Sequence, residues 1–397
     1  MTATILPPFS LQGWTDADVR DPYPRYERYL AESPVHLADG VYYVFGHDAA
    51  STVLSSQVFG RRAASGGPVP TGHSALRAMV ENWLVFLDPP RHTELRSVVN
   101  REFSPTVVTN LRQRITEIAA DLLHDLPPVF DLVETFSAPL PILVISELLG
   151  VPRERWSWLR RQAVGLQEAS SSRAARNPRA HEVAERAAGE LRDFFLALAA
   201  ERRESPGADL LSLLVSAQTS GEPLSSDEIV ATCVHLMTAG HETTTNVLSK
   251  AVLTLSSSRQ ELAVLRSSGV DPAAVEELVR IDAPVQAVSR WAYADATVGG
   301  VEILLGSKVM VMLGAANRDP GRFAAPTELQ LDRSGGRGLS FGLGIHYCLG
   351  ATLARAEVEI GLGLLLAALG EFTVESVEYP YDLVFHGPSS VVVRKGC

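Results

Sequence analysis

The stretch FGLGIHYCLGATLAR, residues 341–355, sets a single cysteine among glycines directly before a helical run. Gly342 and Gly344 tolerate positive φ and let the backbone approach a flat partner closely. His346 and Arg355 flank the cysteine with hydrogen-bond donors. Apolar residues at 3- and 4-residue spacing over 349–369 predict a helix, so the first free N–H groups, such as those of Leu349 and Gly350, lie within reach of the Cys348 sulfur. A helix N-terminus favours a thiolate over a thiol. Taken alone, the loop fits an ordinary buried cysteine, and it fits equally the axial thiolate of an iron porphyrin lying over a glycine-lined backbone.

The bulk of the chain narrows the function classes. Its 397 residues suffice for a large core. A net charge of −11 argues against nucleic acid as partner, since phosphate neutralisation needs a basic face. It argues likewise against an anionic membrane surface. There is no 18-residue apolar run, and MTATILPPFS lacks a basic n-region and an apolar h-region. No membrane span is expected, and a cytoplasmic location is. Cys233, Cys348 and Cys397 lack metal-pair spacing and build no disulfide framework. Lysine occurs only at 250, 308 and 395, so arginine carries nearly all the positive charge. Its planar fork grips carboxylates.

Helical periodicity dominates, at 106–125, 186–203, 225–256, 273–281 and 349–369, whereas short β-like runs fall at 41–45, 297–303, 308–313 and 391–394. The expectation is one domain over 1–397, mainly α with a minor β lobe. The segments 61–72 and 169–180 read as loops within it. Ser225 and Glu228 predict a capping box for the long central helix, with Leu224 and Ile229 stapling across it. At 1.5 Å per residue this helix spans about 48 Å. Its middle, AGHETTTN (239–246), places a glycine and three threonines where good helix formers belong. Gly240 fits a packing contact at a helix crossing, or a functional site where local rules are broken.

Several segments, in order, now carry a resemblance. FGLGIHYCLGATLAR resembles the heme-binding loop of the cytochrome P-450 family, and AGHETT resembles that family's oxygen-activating segment. EELVR (276–280) resembles its Glu-x-x-Arg pair, and NRDPGRFAAPTELQLDR (317–333) the stretch before the heme loop. DPPRHTELR (88–96) and DPYPRY (21–26) resemble two segments nearer the start of the family's chains. The resemblance implies the triangular cytochrome P-450 fold, with heme b (iron protoporphyrin IX) between the long central helix and the cysteine-loop helix.

It also implies roles. Cys348 is the expected iron ligand, with Phe341 shielding the sulfur and Ala239, Gly240, Gly342, Leu349 and Gly350 lining the cofactor. His92, Arg96, Arg290 and His346 are expected on the heme propionates, since charge-assisted bonds to carboxylates are strong. Glu277 and Arg280 form a buried structural pair, expected to lock with Arg318. Glu242 and Thr243 are the acid and alcohol that feed protons to dioxygen, with the helix opened around Gly240 and Thr243. That intact pair speaks against a peroxide-driven branch. Electrons are therefore expected from NAD(P)H through ferredoxin and ferredoxin reductase, with Arg337 and Arg101 as candidate docking residues.

The substrate signal is weaker. By family position His73, Trp83, Phe86, Gln167, Val234, His235, Thr238, Val285, Gln286, Val288, Pro388 and Ser389 fall in pocket-lining regions. This mixed apolar and neutral-polar set suits a medium-sized, largely uncharged organic molecule. Hydroxylation or epoxidation in secondary-metabolite biosynthesis is the expected reaction. Oxidative ring closure, C–C or C–N coupling, or heme-thiolate sensing without turnover are the alternatives.

Overall fold

Ser225 and Glu228 start the central helix as their spacing predicts. Ser225 Oγ accepts from the Glu228 N–H at 3.1 Å, and the Glu228 carboxylate accepts from the Ser225 N–H at 2.9 Å. The helix runs Ser226–Ser257 and is buried along most of its length. The computed structural model describes residues 6–63, 72–169, 171–174, 177–220, 224–334 and 336–396. Most of the 61–72 loop, part of 169–180 and Cys397 lie outside the described residues.

Helices Ser74–Glu81, Pro139–Leu148, Trp156–Gln167, Ala180–Glu204, Pro272–Ile281 and Ala351–Leu369 all pack on the central helix. The last of these, which follows the cysteine, also packs along Pro105–Leu123. Gly361 lets it approach Pro139–Leu148: a Cβ there would lie 2.6 Å from Leu140 Cδ2.

The β structure is small. Five strands lie in the order Val35–Ala38, Val41–Val44, Lys308–Val311, Val288–Ala292, Phe59–Gly60; only Val41–Val44 and Lys308–Val311 pair in parallel. Val129–Asp131, Ser390–Lys395 and Phe372–Glu378 form a second, antiparallel sheet. The run at 297–303, expected as one strand, is a hairpin of Ala296–Val298 and Val301–Ile303. Gly299 and Gly300 both take positive φ, as a two-residue hairpin turn of the mirror-image kind requires. A third packing unit is aromatic: Phe9 meets Tyr29, Tyr43 and Phe45 with ring centroids 4.9, 4.8 and 4.9 Å away. Among the described residues no helix is long and apolar enough to cross a membrane.

The Glu277–Arg280 pair is buried, as expected, but its third member is not Arg318. Arg280 Nε and Nη2 donate to the Glu277 carboxylate at 2.7 and 2.8 Å, and Arg333 Nε reaches both of its oxygens at 2.9 and 3.0 Å. Arg318 instead donates to the Ile281 carbonyl and lies over the Tyr23 ring. Arg318 is held at the last residue of the helix, whereas the chain turns after residue 326 and brings Arg333 back to Glu277, one turn earlier. Removing Glu277 leaves two buried guanidiniums unpaired. Glu277→Ala is therefore expected to cost about 3–5 kcal/mol. Arg394→Ala breaks only the exposed pair with Glu375, and should cost less than about 1 kcal/mol. Denaturant midpoints of the two variants check this; equal shifts would refute it.

Candidate active site

The cysteine loop is shaped by its glycines. Gly342 and Gly344 have φ of 70° and 68°, and a Cβ on Gly344 would sit 2.5 Å from the Leu54 carbonyl oxygen. The Cys348 N–H donates to the Phe341 carbonyl at 2.8 Å and closes the loop. Of the two N–H groups expected at the sulfur, that of Gly350 reaches it. Burial nevertheless pushes the Cys348 thiol up, and the Gly350 bond and the charges of Arg355 and Arg96 offset this only in part. The helix start favours the thiolate, as the sequence implies, without by itself outweighing burial. A metal ion bound to the sulfur would displace the proton.

Two arginines fasten this loop. Arg96, expected on a propionate, donates to the Ile345 and Tyr347 carbonyls at 2.8 and 2.6 Å. Arg355 lies 4.2 Å over the Phe341 ring and bonds Glu276 and the Tyr347 hydroxyl. Arg96, Arg337, Arg355, Glu276, Tyr347 and Cys348 are among the residues around a concavity of about 590 Å³ on this face.

On the inner side the donors converge without acceptors. The His92 and His346 rings lie 4.3 Å apart. Both ring nitrogens of His92 and Nε2 of His346 are buried without a hydrogen-bond partner. Burial first, and cationic neighbours second, pull His92 down to about 4 and His346 to about 2. Arg290 is buried, and Arg61, which the sequence reading missed, shares its acceptor: both guanidiniums donate to the Ser289 carbonyl. Burial lowers Arg61 to about 9 and Arg290 to about 10, so both remain charged at neutral pH. The nearby Asp88 carboxylate is committed to the N–H groups of Arg61 and Arg62 and to the Tyr293 hydroxyl. Orphaned imidazole nitrogens and unpaired guanidiniums beside a cysteine fit a flat group that carries carboxylates and an iron. The residues present thus fit heme.

The central helix is incompletely covered along its irregular stretch. Ala239 is exposed and Gly240, Glu242 and Thr243 are half-buried, on a helix otherwise in the core. The expected opening is not seen, since the helix is continuous and the Thr243 hydroxyl bonds back to the Ala239 carbonyl at 2.8 Å. Such a bond leaves an α-helix intact. Glu242 is not free either. Arg173, from the segment 169–180, pairs with it and also reaches Asp382 at 3.0 Å. Burial lifts Glu242 to about 7, with Asp382 adding to the rise and Arg173 opposing it.

The substrate-lining residues divide. Trp83 stacks on Phe86 and on His235, with centroids 6.1 and 5.3 Å away. Val285 and Val288 are half-buried beside the five-stranded sheet. Val234 has no accessible surface and belongs to the core, because its helix face turns toward the neighbouring helices. Thr238 is buried with its hydroxyl bonded to the Val234 carbonyl. Gln286 is buried and bonds the Tyr23 hydroxyl and the Ala283 carbonyl. Ser389 is exposed and tied to the Glu378 carbonyl, so the sheet rather than a pocket fixes it.

Glu357 was also missed. It is buried on the helix after the cysteine, bonds Thr244, and leaves Oε2 without a partner. Burial pushes its carboxyl well above its ordinary value, the bond to Thr244 opposing this. Its signal was present in the sequence, as a carboxylate four residues after Leu353 on an apolar stripe.

The Glu242 shift has a sign that can be measured. A carboxyl raised from 4.5 to about 7 binds its proton more tightly in the folded state. It adds no penalty below pH 4.5, destabilises progressively as pH rises toward 7, and levels off above. Relative to Glu242→Gln, the wild-type denaturation midpoint should fall across that window. A difference that stays flat with pH would show that the carboxyl is not perturbed.

Comparison with known proteins agrees with this geometry. The cytochrome P450 family model matches residues 175–266 and 271–384. Cytochrome P450 monooxygenase PikC of Streptomyces venezuelae is 35% identical over 383 residues, covering 92% of this chain and 89% of PikC. The polyketide biosynthesis cytochrome P450 PksS of Bacillus subtilis (strain 168) is 38% identical over 291 residues, 72% of this chain and 70% of PksS. The crystal structure of P450BioI in complex with hexadec-9Z-enoic acid ligated acyl carrier protein superposes with a TM-score of 0.90 at 29% identity, covering 96% of this chain and 99% of that one. The chain belongs to the cytochrome P450 family and is an enzyme.

Proposed function

We propose that the protein binds heme b through Cys348 and oxidises a medium-sized, largely uncharged organic molecule in secondary-metabolite biosynthesis. The observation that supports this is the glycine-shaped loop of Cys348 together with the unpartnered nitrogens of His92 and His346 and the guanidiniums of Arg61 and Arg290 that share one carbonyl. Bound heme would supply the activation of dioxygen with electrons and protons from outside.

The chain's own residues then have separable tasks. Cys348 holds the iron, and the Gly350 N–H with Arg355 and Arg96 eases the loss of its proton. Glu242, at about 7, holds and releases a proton near neutral pH. The Thr243 hydroxyl stands one residue on, able to exchange its bond to Ala239 for a bond to an incoming molecule. Trp83, Phe86, His235, Val285 and Val288 offer an apolar lining with one neutral imidazole, since burial holds His235 at about 4. Electrons from NAD(P)H by way of ferredoxin and its reductase would enter at the concavity bordered by Arg96, Arg337 and Arg355. Reaction in the cytoplasm, and hydroxylation or epoxidation as outcome, complete the reading. PksS, named for polyketide biosynthesis, supports the secondary-metabolite setting.

The test begins with the carbon-monoxide difference spectrum of the reduced, purified protein. A strongly red-shifted Soret band is expected, and Cys348→Ala should abolish it. Thr243→Ala should keep the band yet consume NAD(P)H and oxygen without matching product. Coupling that survives in Thr243→Ala would remove the hydroxyl from proton delivery.

A further inference from the structure

We propose that Arg61 is a carboxylate clamp for the cofactor, acting beside Arg290 on the propionate-bearing edge of the heme. This rests on the heme reading above. Arg61 follows the short strand Phe59–Gly60 at the start of a loop with no helical or strand periodicity, so nothing in the sequence pattern singles it out.

Its position is fixed from three sides. The Asp88 carboxylate accepts from its backbone N–H at 2.9 Å, its Nε donates to the Val85 carbonyl at 2.6 Å, and its guanidinium shares the Ser289 carbonyl with Arg290. The same guanidinium lies 5.2 Å from the Phe86 ring centre. Two like charges on one neutral acceptor repel, Asp88 offsets this only in part, and a bound anion would relieve the rest. Among the described residues no carboxylate pairs with Arg61, Arg290 or Arg96 in an ion pair, and the buried nitrogens of His92 and His346 stand nearby without partners.

Carboxylates on the cofactor and a carboxylate on the substrate share this chemistry, and charge counting favours the first. Arg61, Arg96 and Arg290 bring three positive charges and Asp88 one negative, which leaves two positive charges. Heme b carries two carboxylates. An anionic substrate would add a further negative charge with no guanidinium left over for it.

The experiment compares heme with its dimethyl ester, both loaded into the purified chain, and follows transfer of each to an excess of acceptor globin. Arg61→Gln should release heme about tenfold faster than wild type, the effect of one charged hydrogen bond, and release the ester at the wild-type rate. Arg61→Lys should restore part of the retention of heme. Equal acceleration of heme and ester would mean that Arg61 only packs, and unchanged rates would mean that it has no part; either overturns the proposal. A second arm measures spin-state binding of a long-chain fatty acid and its methyl ester. Loss of preference for the acid in Arg61→Gln, with heme retention unmoved, would assign the guanidinium to substrate and overturn the proposal as well. Failure of the wild-type chain to take up heme at all would overturn both this and the parent reading, whereas normal uptake with an unmoved ester ratio overturns this one alone.

Discussion

One helix has to lie in the core and also form the wall of an open interior, and the rest of the structure is arranged around that constraint. Residues 226–257 bury most of their side chains, yet Ala239 is exposed and Gly240 and Thr243 are only half-buried. A helix of good formers would close that face with side chains. A glycine and small threonines keep it open at a cost in propensity, and bonds to carbonyls four residues back give the hydroxyls a partner. Thr243, Thr245 and Ser249 all make such bonds. The helix remains continuous because surrounding helices pack along it, so tertiary burial outweighs local preference.

Polar groups buried along the same helix fix which neighbours sit where. Lys250 Nζ pairs with Asp282 at 2.6 Å and bonds His386 Nδ1 and the Ala283 carbonyl. His386 in turn bonds the Val19 carbonyl, and Tyr23 bonds Asp282. These contacts gather the two helices Asp16–Arg20 and Tyr23–Glu32, the end of Pro272–Ile281 and the loop near residue 386 around one buried ammonium. Apolar packing alone is indifferent to small slides, whereas an unpaired buried charge is not. The loop that carries His386 also carries Asp382, which meets Arg173 and through it Glu242. The surroundings of the acid therefore depend on contacts made far away in sequence.

That dependence explains what the sequence could and could not disclose. The central helix, its capping box, the helix after the cysteine and the strands Val41–Val44, Lys308–Val311 and Ser390–Lys395 were legible because each rests on local spacing. The cysteine and its glycines were legible because a positive φ and a close approach leave a residue-type signature. Glycines 299 and 300 carried the same signature for a hairpin, which an apolar count over 297–303 overrode. The ion pairs were legible only where both partners share one helix. Glu277 and Arg280 sit three apart, but the choice of Arg333 over Arg318 is set by a turn between them. Arg61 and Asp382 lie in loops and Arg173 in the single turn Ser171–Ala174, where no period marks a side chain as pointing inward.

Burial acts in opposite directions on the two sides of the interior, and this sets what each side does. On the cysteine side it raises the thiol and lowers the imidazoles, so the chain alone holds neutral sulfur and neutral rings beside fixed guanidiniums. Positive charge is then in excess, and a dianionic group that also takes the sulfur as thiolate removes both costs together. Such a group stabilises the folded chain by mass action, since the unfolded chain has no such assembled site. On the helix side burial raises Glu242, but Arg173 keeps it near neutrality rather than far above, as happens to Glu357 with only Thr244 for company. The guanidinium is thus what separates an acid that exchanges protons at neutral pH from one that merely keeps its proton.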